Sequence, residues 1–198
     1  MEAIAALTAV LSVGVAIWAL IVSNGRAREA IDATMSTTRT TMQATLLKDF
    51  KAEFDGLARA RHIASSHALT RIEADGVAAV ALDDVPAEVW QVMDFFDKLA
   101  MYLKRGYLDG EMVFISFLYW MLPYWLCFQE DVAAMQDVAP LAMWHEIPRQ
   151  LKELEGLAPR LDVTPESIEK SKAWVEVREF MKREAAECLS AVTPLARS

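Results

Sequence analysis

The alternation of apolar and polar positions separates one long apolar segment at the N-terminus from a series of helical stripes behind it. Ala3 to Val22 reads AIAALTAVLSVGVAIWALIV, without a charge and with only the Thr8 and Ser12 hydroxyls as polar side-chain groups. A helix rising ~1.5 Å per residue crosses the hydrocarbon core of a bilayer in about 20 residues. Hydroxyls in such a helix bond back to their own backbone and cost little. Trp18 falls near its end, where an indole suits the headgroup level. A cleaved signal peptide is the rival reading, but Met1 and Glu2 supply no basic start and the apolar run is too long. Residues 1–25 therefore read as an uncleaved anchor. Arg26 and Arg28 follow it and Glu2 precedes it, so the positive-inside rule puts the rest of the chain in the cytoplasm. The implied setting is the inner membrane, crossed once, with the N-terminus outside. Small residues four apart, Ala5 with Ala9 and Ser12 with Ala16, leave room for two such helices to pair as a homo-oligomer.

Residues 26–41 read as a juxtamembrane helix or stalk. The hydroxyl run Ser36-Thr37-Thr38-Arg39-Thr40-Thr41 predicts a bend there, or the cap of a new helix. Behind it, residues 42–192 form a helical domain. Leu46, Leu47, Phe50, Phe54, Leu57 and Ala64 recur at steps of three and four, which predicts one amphipathic helix. Thr70 to Val85 holds Gly76 and Asp83-Asp84 and is read as irregular.

Pro86 suits a first helical turn. After it, Val89, Val92, Met93, Phe96, Leu99, Ala100 and Leu103 make the cleanest stripe in the chain. Lys104 and Arg105 complement its C-terminal dipole, Gly106 stops it, and Asp109 can cap the next helix. That next segment, Met112 to Phe128, has no charge and is apolar on every side. Such a helix is either the core of a domain or a second membrane span. Its shortness, its acidic flanks and Pro123 favour the core. A shorter helix is expected over Ile147 to Leu157. A last one is expected from the Thr164-Pro165 start to about Ser190, with Ile168, Trp174, Val177, Met181 and Cys188 inward. Residues 193–198 read as a frayed tail. The fold class is thus all-α: one N-terminal transmembrane helix and a cytoplasmic bundle of about five helices.

Composition adds limits. A net charge of -8 argues against nucleic acid, whose phosphates need a basic face. Cys127 and Cys188 lie far apart in apolar settings and read as buried free thiols. His62 and His67 are five apart and point in different directions, and His145-Glu146 lacks an HExxH frame, so no metal site and no cofactor are expected. Asp94 and Asp97 share one helix face, within reach of Lys98 or Lys104, and read as a solvated surface. Nothing assembles a nucleophile, a base and an orienting group, so the chain is not read as an enzyme. The aromatic run holds the functional promise. Phe117, Trp120 and Tyr124 fall at steps of three and four, with Trp125 beside Tyr124. They offer core packing, a docking face for another protein, or the lining of a pocket for a small apolar ligand or lipid.

The stretch Val89 to Gln136, with VMDFFDKLAMYLKRGYLDGEMV followed by a helix bearing Trp120 and Trp125, resembles a bacterial membrane-anchored family of the DUF4760 type, a domain of unknown function. The resemblance rests on Phe95-Phe96-Asp97, on Arg105-Gly106 closing the helix, and on Leu108-Asp109 opening the next. Asp97 stands where the family more often has Glu. What the resemblance implies is topology: a single membrane helix and a helical cytoplasmic region. The function expected is that of a non-enzymatic single-pass protein whose domain binds another protein, as an accessory subunit of a membrane complex. The alternative is a sensor or effector holding an apolar ligand in the aromatic core.

Overall fold

The structure is a computed structural model that describes residues 31–74, 82–138 and 143–192. The anchor expected at residues 1–25 and the tail at 193–198 lie outside the described residues. The chain divides into two compact units, Met1–Thr45 and Leu46–Ser198.

In the first unit, residues 31–45 are helical. The bend or fresh cap expected at Ser36 to Thr41 is not there. Thr37, Thr41 and Thr45 each donate a hydroxyl proton to the carbonyl four residues earlier at 2.9 Å, and Thr40 does so at 3.0 Å. A hydroxyl satisfied by the turn below it has no call to leave the helix and cap another.

The second unit is all helical among the described residues. Residues 46–56 form α1, followed by α2 (Ala58–Glu73), a 3₁₀ turn (Leu82–Asp84), α3 (Ala87–Lys104) and α4 (Gly110–Val138). After these come α5 (Glu146–Glu155), a second 3₁₀ turn (Ala158–Leu161), α6 (Pro165–Ser171) and α7 (Trp174–Val192). There are more helices than the stripes predict because two expected helices are divided. The first divides at Leu57, whose amide is shared between the carbonyls of Glu53 and Phe54. The Phe54 carbonyl also accepts from Arg61 Nη1 at 3.3 Å, drawn away from the regular ladder. The second divides between Ser171 and Trp174. Ile168 and Val177 are both buried, yet on one continuous helix they would point about half a turn apart. The break lets both face inward, and it leaves Trp174, expected inside, 44% exposed. In the stretch expected to be irregular, α2 instead runs on to Glu73, carrying buried Arg71 with it.

The central hairpin follows local backbone chemistry. The Gly106 amide donates to Leu103 and the Tyr107 amide to Tyr102, which is the Schellman closure of α3, with Gly106 left-handed at φ 70°. Asp109 Oδ1 then accepts from the amides of Glu111 and Met112 at 3.0 and 3.1 Å and caps α4. Thr164 caps α6 in the same way through the Ser167 amide.

By length and composition α4 qualifies as a membrane span, with a mean hydropathy of 1.4, yet 56% of its most apolar window is buried inside the domain. It packs against α2, α3, α5 and α7. Phe114, Phe117, Met121, Tyr124 and Phe128 are all at most 2% exposed. The exposed large residues on it include Ile115 and Tyr119, one turn apart.

The hairpin geometry makes a direct prediction. Asp109→Ala should cost about 0.5–2 kcal/mol, because two amides lose their acceptor. Gly106→Val should cost at least as much, since a β-branched residue is strained at positive φ. Thermal melts of both variants check this, and two unchanged midpoints would mean that the turn does not hold the hairpin.

Candidate functional site

The four aromatic residues singled out by the sequence do not share one surface. Phe117 and Tyr124 are 1% and 0% exposed and belong to the core. Phe117 meets the Phe54 ring edge-on at 5.8 Å, and Tyr124 lies 5.7 Å from Phe96. Trp120 is half-buried on the same side of α4 and also meets Phe54 edge-on, at 5.7 Å. Trp125 lies elsewhere, in a shallow groove with Leu122, Pro148, Leu151 and Lys172.

Trp120 and Tyr124 do converge on a group the stripes did not foretell. The Glu184 carboxylate of α7, 2% exposed, accepts from Arg61 Nε of α2 at 2.6 Å. Its second oxygen accepts from Trp120 Nε1 at 3.3 Å. The Tyr124 hydroxyl sits 3.2 Å from Glu184 Oε1 and 3.3 Å from the Arg61 carbonyl, and can donate to either. The Arg61 guanidinium lies 3.9 Å from the Phe54 ring centre, a cation–π contact. Burial opposes the Arg61 charge, but bonding to Glu184 outweighs it and holds the guanidinium above its ordinary pKa. Burial also pushes the Tyr124 phenol well up, so it is a neutral donor. A charge on an apolar stripe was the available signal. Val177, Met181, Glu184 and Cys188 are the buried residues of α7 and recur at steps of four and three.

A second buried pair ties α2 to α4. Arg71 bonds Asp131, which is 0% exposed, and the guanidinium lies 5.9 Å from the Phe128 ring centre. Cys127 beside it is a free thiol pushed up to about 12 by burial, and Cys188 is free and pushed up to about 11. Neither supplies a thiolate nucleophile near neutral pH.

The acidic face of α3 is also more engaged than a solvated surface. Asp94 accepts from Trp144 Nε1 at 2.8 Å, and Trp144 stacks on Trp90 at 5.1 Å. Burial raises the Asp97 carboxyl. The lysines expected to answer these two carboxylates go elsewhere, Lys98 to Glu53 at 2.6 Å and Lys104 to Glu146. His145 lies 2.9 Å from the same Glu146 carboxylate. No group of three or more metal-ligating side chains comes together among the described residues.

The outer side of α4 is open for recognition. Ile115 is 68% exposed and Tyr119 55% exposed. Clefts of about 350 and 380 Å³ flank Trp120. Arg61 lines the first and Glu184 the second, so the half-buried indole stands over their ion pair.

The network predicts a characteristic pair of energies. Glu184→Ala leaves Arg61 buried without its counter-charge and should cost about 3–5 kcal/mol. Replacing both, Arg61→Met with Glu184→Leu, should cost much less than that single change, because the uncompensated charge is gone. Urea unfolding of the single and double variants measures both. A double variant as unstable as Glu184→Ala, or more so, would contradict the pairing.

No curated protein and no solved structure matches the chain. Residues 6–161, well over half of the sequence, match the family described as domain of unknown function (DUF4760). That match takes in the α3–α4 hairpin, the Trp120 side of α4 and α5, and stops before α6 and α7. On that coverage the chain belongs to the DUF4760 family.

Proposed function

We propose that the protein is a non-enzymatic, single-pass protein of the bacterial inner membrane whose helical domain docks another protein at the cytoplasmic face. Residues 1–25 are its anchor, oriented by Arg26 and Arg28 against Glu2. Its role is that of an accessory subunit in a membrane complex. The observation that carries the docking reading is the outer strip of α4. Ile115 and Tyr119 are exposed one turn apart, beside half-buried Trp120, on a helix whose other faces are packed. Aromatic residues of this kind, anchored below and open above, are what interface hot spots use. The clefts beside Trp120 are lined by Lys51, Asp55, Arg61, Arg183, Glu184 and Glu187 as well as by rings. That polarity favours a protein surface over an apolar ligand or lipid in the aromatic core, which is already filled by Phe117 and Tyr124.

A photo-crosslinking amino acid placed at Ile115 in the full chain, in its own membrane, tests the reading. Irradiation should give one discrete protein adduct of higher mass. The same group at Glu153, whose side chain is 59% exposed, should not give it. Adducts with lipid alone, or equal yields at the two positions, would overturn the proposal.

A further inference from the structure

In the first unit, residues 31–45 form a helix in which every residue but Gln43 is exposed. Such a helix is poorly equipped to stand alone. It is rich in threonine, a mediocre helix former, and most helical stability in proteins comes from packing an apolar face. An apolar face is present. Ile31, Met35 and Met42 are 57%, 59% and 47% exposed. With Thr38 and Thr45 they recur at steps of four and three, the a/d spacing of a heptad. Thr45 offers that seam its methyl group, because its hydroxyl is turned back onto the Thr41 carbonyl at 2.9 Å.

Charge and place identify what covers the seam. Between Ile31 and Thr45 the charged residues are Asp32 and Arg39, which cancel, on a chain of net charge -8. Two copies repel each other through the rest of the chain but meet no net repulsion along this helix. A strongly charged partner finds nothing here to select it. Both charges fall at e positions, and the g positions that face them in a parallel pair, such as Thr34, are uncharged. The helix also follows closely on the proposed anchor. Two anchored copies point the same way at the same height, so their heptads meet in register, and sharing a membrane raises their effective concentration. Within the anchor sequence, Ala5 with Ala9 and Ser12 with Ala16 leave room for the same pairing.

We infer that residues 31–45 form a parallel coiled coil with a second copy of this chain, closed along Ile31, Met35, Thr38, Met42 and Thr45. The inference rests on the anchor in the proposed function, and it adds a partner distinct from the protein docked on α4.

Single cysteines in the full chain, oxidised with a copper catalyst in isolated membranes, test it. Cysteines opposite one another across a parallel seam come within disulfide reach. Met35→Cys, Thr38→Cys and Thr45→Cys should each give a disulfide dimer of twice the chain mass. Ala33→Cys, Ser36→Cys and Thr40→Cys, on the outer face, should give none. The unaltered chain should give none either, since Cys127 and Cys188 are buried. Adding Met42→Asp to Thr38→Cys should abolish the dimer, and adding Thr40→Asp should not. No dimer from the seam positions, equal yields on both faces, an adduct of another mass, or a dimer that survives Met42→Asp would each overturn the coiled coil. The membranes are first washed with alkali. A chain retained by the wash but without seam-specific dimers loses the coiled coil and keeps its anchor. A chain released by the wash loses the anchor, and the coiled coil with it.

Discussion

The domain depends on surrounding a helix that cannot face water. From Met112 to Phe128 α4 carries no charge, and its apolar residues point in every direction. Neighbouring helices must therefore cover it, and α2 does so in a way that fixes its own register. Two arginines on α2, ten positions apart, are each buried and each must meet a carboxylate: Arg61 meets Glu184 on α7, and Arg71 meets Asp131 on α4. Between them Ala64, Ser65 and Ala68 are buried small residues that let the helices approach closely. A slip of α2 along its axis would strand both charges at once. Stranding a buried charge costs more than the pair is worth when made. The pairs thus act chiefly on specificity, while the rings around Phe54, Phe96 and Tyr124 provide the apolar burial.

The same constraint shapes the surface. Glu184 is satisfied by Arg61 and Trp120, with the Tyr124 hydroxyl in reach as a third donor, and the Trp120 bond holds its indole at the boundary between core and solvent. A tryptophan tethered there has little freedom left to lose, which lowers the entropy cost of using it in recognition. Ile115 and Tyr119 stand exposed on the outer side of α4. Core and candidate docking face are therefore the two sides of a single helix, and Trp120 belongs to both.

Local chemistry was legible in the sequence. The Pro86 start, the Gly106 stop, the Asp109 and Thr164 caps and the α3 stripe all depend on residues within a turn or two of each other. Lack of charge left the α4 segment as either core or span; its expected shortness favoured the core, yet the helix runs 29 residues, and it is the burial of its apolar window that speaks for the core. What was not legible depends on distant partners. Arg61 and Glu184 are 123 positions apart, and although Glu184 falls on the apolar stripe of α7, nothing local names Arg61 as its partner. The break between α6 and α7 comes from the need to bury both Ile168 and Val177. No local breaker marks it, so Trp174 was wrongly placed inside. The division at Leu57 likewise follows from Arg61 claiming the Phe54 carbonyl. Of the aromatic four, the shared face of Phe117, Trp120 and Tyr124 followed from helical spacing. How deep each would lie depended on α1 and α7.

The central claim is that α4 is the core of a water-facing domain and not a span. The most direct measurement is the partitioning of a chain that begins at Leu46, the first residue of the second unit. On this account it leaves the membrane fraction in an alkaline wash without detergent and unfolds in a single cooperative transition. Retention in the membrane after that wash would show that α4 crosses the bilayer and would contradict the account.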